Sequence, residues 1–229
     1  MLRFFLLSIC FLCSVHLVSD AFFLPEERLL DQSSMVEEAL CVDLYKKMNL
    51  EGLVDLTAFK QAVHGYRRIQ GRQRDILTLI DFSKPSTQNR LYVFDMNHKK
   101  LLFSSLVAHG RNSGDLYATS FSNKPGSYQS SLGFYLTGST YHGSNGYSLL
   151  LDGLEKGLND FARERAIVIH GADYANPSVI AYGGRLGRSL GCPALPRHLS
   201  RPIIDAIKDG SVLFIYASKR EYLAQSAFF

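Results

Sequence analysis

The sequence predicts an α+β protein in which a β-rich domain follows a short helical N-terminal extension. Three observations support this prediction: helical spacing of apolar residues in two segments near the N-terminus, seven short β-branched and apolar runs after residue 75, and turn residues between those runs. Strands interspersed with a few helices are typical of a mixed or antiparallel sheet with helices packed outside it.

The predicted elements follow one another along the chain. Helices are predicted over residues 33–48, 56–68, 154–165 and 199–208. Asn97 and His98 form a predicted tight turn, so the strands on either side of it should be antiparallel. The seven predicted strands are residues 76–82, 91–96, 101–107, 132–140, 147–151, 166–169 and 212–216.

The N-terminus has the pattern of a secretory signal peptide. Arg3 supplies a positive charge, and an apolar run over residues 4–18 follows it. This run is shorter than the ~20 apolar residues that span a bilayer. We therefore expect a signal peptide over residues 1–21, with an uncleaved anchor as the alternative, then a helical extension over residues 22–70 and the β-rich domain over residues 71–229.

Composition narrows the class of protein. The 229 residues are 46% hydrophobic and 20% charged, which is typical of a globular protein and excludes general disorder. The formal net charge of +4 is small, and the basic residues are scattered, so no nucleic-acid partner is predicted. After signal cleavage the expectation is an exported protein of the periplasm or cell envelope without a stable membrane span.

Two of the four cysteines remain after the predicted signal peptide, namely Cys41 and Cys192. In an oxidising compartment two such cysteines often form a disulfide. Cys41, however, lies beside the apolar stripe of a predicted helix, where a free cysteine can serve as a small core residue. Cys192 instead lies among glycines, which leaves room for a chemical role.

His170 is the best candidate to activate Cys192. Of four His-Gly dipeptides, only His170-Gly171 ends a buried-type strand, and it precedes the cysteine by 22 residues. A histidine within hydrogen-bond reach can take the thiol proton, and the N–H groups of Gly191 and Cys192 could stabilise an oxyanion. The Gly171 carbonyl or the Asp173 carboxylate could fix the imidazole tautomer.

These segments resemble the signature of the L,D-transpeptidases of the YkuD-like type. The residues concerned are Ile167-Val168-Ile169-His170-Gly171 and Ser189-Leu190-Gly191-Cys192, preceded by Asn123-Lys124-Pro125-Gly126-Ser127-Tyr128. The similarity covers about residues 75–216 and is greatest to the murein L,D-transpeptidase catalytic-domain branch.

The resemblance implies an acyl transfer through a thioester at Cys192, with peptidoglycan peptide stems as partners and neither a cofactor nor a metal. Water in place of an amine acceptor would make the same site an L,D-carboxypeptidase or hydrolase. Residues expected to bind substrate or stabilise the oxyanion are Gly191, Ser189, Arg188, Arg185, His109 and Tyr128.

Two departures from the family pattern weaken that expectation. Leu190 replaces a histidine, and Pro193-Ala194 replaces an apolar residue followed by Asn or Arg. Arg185 and Arg188 could compensate by binding a peptide carboxylate. Two other functions stay open: a zinc peptidase using His170, Asp173 and His109 or His142, and a non-catalytic envelope-binding domain.

Overall fold

The structure is a computed structural model that describes residues 26–229. The predicted signal peptide lies outside these residues. Contacts divide the chain into residues 1–36 and residues 37–229, and the second unit contains the sheet. No helix among the described residues is both long and apolar enough to cross a membrane.

A mixed sheet of eight strands forms the centre of this unit, which confirms the predicted fold class. The strand order is β3-β2-β1-β8-β4-β5-β6-β7, in which β1 with β8 and β6 with β7 are parallel and the other neighbours antiparallel. The strands are β1 (Ile76–Asp81), β2 (Leu91–Asp95), β3 (Lys100–Ser105), β4 (Gly133–Gly143), β5 (Gly146–Gly153), β6 (Val168–Gly171), β7 (Ala194–Leu195) and β8 (Val212–Tyr216).

Five α-helices and one 3₁₀ turn accompany the sheet in the described residues. They are α1 (Glu26–Lys47), α2 (Leu56–Arg68), a 3₁₀ turn (Asp173–Ala175), α3 (Pro177–Gly183), α4 (Arg197–Ile207) and α5 (Arg220–Gln225). Helix α2 begins where the Asp55 carboxylate accepts a hydrogen bond from Ala58 N, and it packs on β1 and β8. Helix α4 packs on β6, which fixes the strand that carries His170.

All seven predicted strands are confirmed, with small differences at their ends. β1 and β8 are buried along their whole length, as expected for central strands made of continuous apolar runs. The turn at Asn97-His98 joins the antiparallel pair β2 and β3, as predicted. The short strand β7 and helices α3 and α5 have no counterpart among the predicted elements.

The predicted helix over residues 154–165 is wrong, because this segment is a series of turns. Polar side chains there bond the backbone in ways that compete with a helix: Asn159 Oδ1 accepts from Glu155 N, and Asp160 Oδ1 accepts from Gly157 N. The turns end at Ala166, whose positive φ of 54° is the left-handed conformation that usually ends a helix.

Both cysteines of the described residues are free. Cys41 is 4% exposed and belongs to the core beneath α1 and α2, and burial raises the pKa of its thiol to about 11. Its role is therefore packing, and a disulfide with Cys192 is not formed.

A buried pair of basic side chains, Arg90 and His109, lies beneath the segment that follows β3. Arg90 Nε and Nη2 donate to Val107 O, and Nη2 also contacts His109 Nδ1 at 2.8 Å. Because Arg90 can only donate, His109 Nδ1 must be the acceptor and the ring is neutral. Burial, and then the Arg90 charge, lower the pKa of His109 to about 4.

This low pKa predicts an acid-sensitive fold. The unfolded chain binds a proton at His109 below pH ~6.5, while the folded chain does so only near pH 4. Stability should thus be complete above pH ~6.5 and fall by about 3 kcal/mol as the pH decreases to about 4. The replacement His109→Asn, which keeps an acceptor for Arg90, should remove this part of the loss in urea unfolding measured from pH 4 to 7.

The exposed His142 on β4 offers a matched control. The variant His142→Asn should lose stability in acid as the unmodified protein does. An equal acid-induced loss in His109→Asn and the unmodified protein would contradict the prediction.

Candidate active site

The pairing of β6 with β7 brings Cys192 next to the strand that carries His170. His170 is paired with Ala194 and Gly171 with Leu195, so Cys192, two residues before Ala194, lies beside Val168. Val168 N donates to Cys192 Sγ at 3.5 Å, and the thiol contacts Ala166 O at 3.6 Å. The thiol thus faces the start of β6, while His170 lies near its end.

No hydrogen bond joins Cys192 to His170 in the described part of the chain. Catalytic hydrogen bonds are often long or misaligned before substrate binds, so this arrangement is compatible with a reacting pair.

His170 is buried and held in one tautomer by the adjacent carbonyl. Its Nδ1 lies 3.2 Å from Gly171 O, and since a carbonyl only accepts, Nδ1 carries the proton and Nε2 is free to act as a base. Burial lowers the pKa of His170. The hydrogen bond to the Gly171 carbonyl acts in the opposite direction, and the charge of Arg197 lowers the pKa further. The imidazole is therefore neutral at neutral pH.

Asp173, the other group expected to orient His170, is bound elsewhere. Arg197 donates to both of its carboxylate oxygens, at 2.7 and 3.0 Å. Of the two candidates, the Gly171 carbonyl is therefore the one in contact with the imidazole.

The Cys192 thiol is also neutral at rest. Burial raises the pKa of Cys192, while the Val168 N–H and the Arg165 guanidinium act in the opposite direction. A neutral thiol beside a neutral imidazole requires proton transfer during attack instead of a preformed ion pair.

Ser189 shapes the nucleophile loop, residues 187–193. Its hydroxyl accepts from Gly191 N at 3.0 Å and donates to Cys192 O at 2.6 Å. The Gly191 N–H, expected to stabilise an oxyanion, is thus bonded to Ser189 in this structure. Gly191 has a φ of 129°, and a Cβ there would lie 2.9 Å from Gln129 O, so both conformation and space require glycine.

Arg185, which precedes the nucleophile loop, and Arg188, which lies in it, share one carboxylate, that of Asp115. Arg185 Nε lies 2.5 Å and Arg188 Nη1 3.3 Å from Asp115 Oδ1, and Arg188 also donates to Gly114 O. The pair keeps a net positive charge near the loop. Asp115 was not predicted as a site residue, because the arginines that it contacts lie about seventy residues further along the chain.

His109 and Tyr128 lie on the chain segments that border the loop. The His109 carbonyl accepts from Ser189 N at 2.9 Å, whereas its ring points to the buried Arg90. Tyr128 is 37% exposed, and the Arg111 guanidinium lies 4.3 Å from the centre of its ring. The exposed Tyr128 ring can contact a ligand, while His109 contributes through its backbone.

Two side chains near Cys192 were not predicted from the sequence. Arg165 precedes β6, and its charge acts on the Cys192 thiol. Tyr174 packs its Cβ near Gly187, and burial together with the Cys192 charge raises its pKa to about 12. Neither forms a local motif with the cysteine, so only the folded chain reveals them.

The other zinc ligands considered are dispersed. Asp173 is paired with Arg197, His109 with Arg90, and the His142 ring lies against Tyr147 on the β4–β5 hairpin. Within the described residues no group of three His, Cys, Asp or Glu side chains could hold a metal ion.

The chain is similar to solved structures of L,D-transpeptidases at low identity. An L,D-transpeptidase from Mycobacterium smegmatis is 12% identical, with a TM-score of 0.39, over 62% of this chain and 59% of that one. L,D-transpeptidase 3 from Mycobacterium tuberculosis, in complex with a faropenem-derived adduct, is 14% identical with a TM-score of 0.39, over 62% and 60%.

The helical cell shape determining protein Pgp2 from Campylobacter jejuni is 16% identical with a TM-score of 0.42, over 66% of this chain and 50% of that one. The chain thus spans about half to three fifths of the length of these proteins. No curated protein matches it.

A family model gives the decisive match. The model described as the L,D-transpeptidase catalytic domain matches residues 50–216, which include the sheet, the nucleophile loop and both members of the Cys192 and His170 pair. The chain belongs to the L,D-transpeptidase catalytic-domain family.

Proposed function

We propose that this protein is an exported, cysteine-dependent L,D-transpeptidase that acts on peptidoglycan peptide stems in the periplasm or cell envelope. The observation that carries the proposal is the placement of Cys192 beside β6, with His170 on the same strand and its Nδ1 bonded to Gly171 O. Family membership adds the substrate class.

In the first half of the reaction, Nε2 of His170 takes the thiol proton as Cys192 Sγ attacks the carbonyl carbon of an L,D-peptide bond. The resulting oxyanion collapses, the C–N bond breaks, and the imidazolium gives its proton to the departing D-alanine amine. A thioester between Cys192 and the stem remains.

In the second half, an amine of another stem attacks the thioester and His170 takes the amine proton. The C–S bond then breaks, and the imidazolium returns this proton to the sulfur, which regenerates the thiol. Water in place of the amine would yield carboxypeptidase or hydrolase activity. Arg185 and Tyr128, which border the nucleophile loop, and Arg188, which lies in it, are proposed to bind the stem. The N–H groups of Gly191 and Cys192 are proposed as oxyanion donors. Turning the Gly191 N–H to the oxyanion requires release of its bond to Ser189.

The departures from the family pattern have structural explanations that support activity. Ala194 is a buried strand residue whose N and O both bond Ala108, so a long polar side chain there would have no room. Leu190 is 59% exposed at the loop surface and leaves the bonds of Ser189 intact. The backbone arrangement at Cys192 therefore does not need the missing side chains.

Cys192→Ala should abolish turnover, with a decrease of at least about 10³-fold, because it removes the thiol that attacks the carbonyl carbon. The measurement is mass spectrometry of tetrapeptide muropeptides for D-alanine release, cross-link formation and a thioester adduct of the parent protein. Cys41→Ala, which changes the buried core thiol, is the matched control and should keep activity wherever it folds.

Turnover by Cys192→Ala equal to the parent would refute the proposal and leave the metallopeptidase alternative. Absence of both turnover and adduct in the parent would support a non-catalytic binding domain. Release of D-alanine without cross-links would assign hydrolysis to the same site.

The pH dependence of kcat/KM should reflect the requirement for a neutral His170 imidazole. Because burial lowers the pKa of His170 below its usual value of about 6.5, the base form persists below that pH. We expect kcat/KM to stay level from pH 8 to 6.5 and to fall only in more acidic solution. Steady-state rates across pH 4.5–8 would test this, and a decline that begins above pH 7 would contradict it.

Arg197→Gln should move the acidic limb of that profile to higher pH. It removes a positive charge that disfavours the imidazolium, so the pKa of His170 should rise. Arg201→Gln, on the same helix but stacked on Tyr147, is the control and should keep the original profile. An unchanged acidic limb in Arg197→Gln would show that Arg197 does not influence His170.

A further inference from the structure

Arg165 is a partly buried arginine clamped to a segment that we call the strap, residues 122–131. Its Nη1 donates to Ser122 O at 2.7 Å and to Ser131 Oγ at 2.5 Å, and its Nη2 donates to Gln129 O at 2.6 Å and approaches Ser127 Oγ at 3.3 Å. Four contacts fix the guanidinium much more rigidly than a surface arginine.

The same guanidinium lies against the nucleophile loop. A Cβ placed on Gly191, the residue before the nucleophile, would be 3.4 Å from Arg165 Nη2. The residue after Arg165 is Ala166, whose left-handed backbone presents the carbonyl that contacts Cys192 Sγ. One short stretch of chain thus supplies both the cation and the resting partner of the thiol.

The charge of Arg165 is not neutralised locally. In the described residues its partners are carbonyl and hydroxyl oxygens, in contrast to the neighbouring Arg163, which binds the Asp152 carboxylate at 2.8 and 2.6 Å. Burial is the largest effect on both groups: it raises the pKa of the Cys192 thiol and lowers the pKa of the Arg165 guanidinium. Their mutual attraction acts against burial at each group.

The other titratable groups around the thiol do not supply a positive charge at neutral pH. Tyr174 is close enough for its ionisation to respond to the charge of Cys192, but burial raises the pKa of its phenol, so the phenol is neutral. His170 is kept neutral by burial. Arg165 is therefore the fixed cation acting on Cys192 among these neighbours.

We propose that Arg165 is a positioning residue for Cys192, holding a fixed positive charge beside the nucleophile that favours its thiolate form and tying the strap to the nucleophile loop. This proposal rests on the proposed role of Cys192. Two steps of the cycle would benefit: attack, in which the sulfur loses its proton to His170, and breakdown of the thioester, in which sulfur leaves as a thiolate.

The test measures the thiol directly and requires no peptidoglycan. Alkylation of Cys192 by iodoacetamide follows the thiolate fraction, so its rate against pH gives the midpoint of ionisation. Peptide mass spectrometry on the full chain separates Cys192 from Cys41. In Arg165→Gln the midpoint should rise by about one pH unit or more, because an opposite charge at close range has been removed.

Arg163→Gln is the matched control, since it removes an arginine from the same turn that faces Asp152. It should leave the midpoint unchanged. Arg165→Lys should give an intermediate rise, because the shorter ammonium keeps a positive charge but at a greater distance from Gly191. Should the Gln variant fail to fold, Arg165→Met, which fills similar space, takes its place.

If neither uncharged variant folds, the Lys variant decides. A midpoint in folded Arg165→Gln, Arg165→Met or Arg165→Lys equal to that of the parent would overturn the proposal and leave Arg165 as a clamp only. The proposal for Arg165 and the proposed function can fail separately. If the midpoint rises in Arg165→Gln while Cys192→Ala keeps full muropeptide turnover, the effect of the Arg165 charge is supported and the role of Cys192 as the nucleophile is refuted.

Discussion

The site depends on one short parallel pairing, that of β6 with the two-residue strand β7. On one side, Ala194 pairs with His170 of β6. On the other side, Ala108 N donates to Ala194 O at 2.8 Å and Ala194 N donates to Ala108 O at 3.2 Å. A two-residue strand could not persist alone, since it fixes few hydrogen bonds for its entropy cost. Bonded on both edges, it places Cys192 beside Val168. The position of the thiol beside β6 follows from this register, since a slip of one residue would turn the thiol to the other face of the sheet.

Burial then determines the electrostatics of this pair. Removing an imidazole and a thiol from water disfavours the charged form of each, so the resting state is neutral on both sides. Such a site is protected from adventitious oxidation and alkylation, because the thiolate is the reactive species. During attack the thiol loses its proton and the imidazole gains one, and forming these charges in a buried site costs free energy. A cation already fixed in place reduces this cost without reorganisation. Arg165, bonded to four oxygens of the strap, has this property.

The strands, and the placement of Cys192 beside the strand that carries His170, were predictable from the sequence, because both rest on local signals. A buried-type run ends at His170, and Cys192 lies within a glycine-rich motif. The helix assigned to residues 154–165 was wrong, since apolar spacing does not report that Asn159 would bond the backbone of Glu155. Arg165 and Asp115 were not predicted, because their partners lie tens of residues away and no spacing rule links them. Long-range polar contacts are the part of the site that the fold alone creates.

Asp115 also affects how Arg185 and Arg188 could bind a stem. Its carboxylate is 73% exposed and Arg185 and Arg188 are both about 30% exposed, so these ion pairs contribute at most about 1 kcal/mol. Exchanging Asp115 for a carboxylate of a ligand therefore costs little, while the bonds of Arg188 to backbone carbonyls keep its guanidinium in place. The pairing holds the two arginines ready in the absence of ligand without blocking them. An arginine pair positioned in this way is consistent with the proposed binding of a stem carboxylate by Arg185 and Arg188.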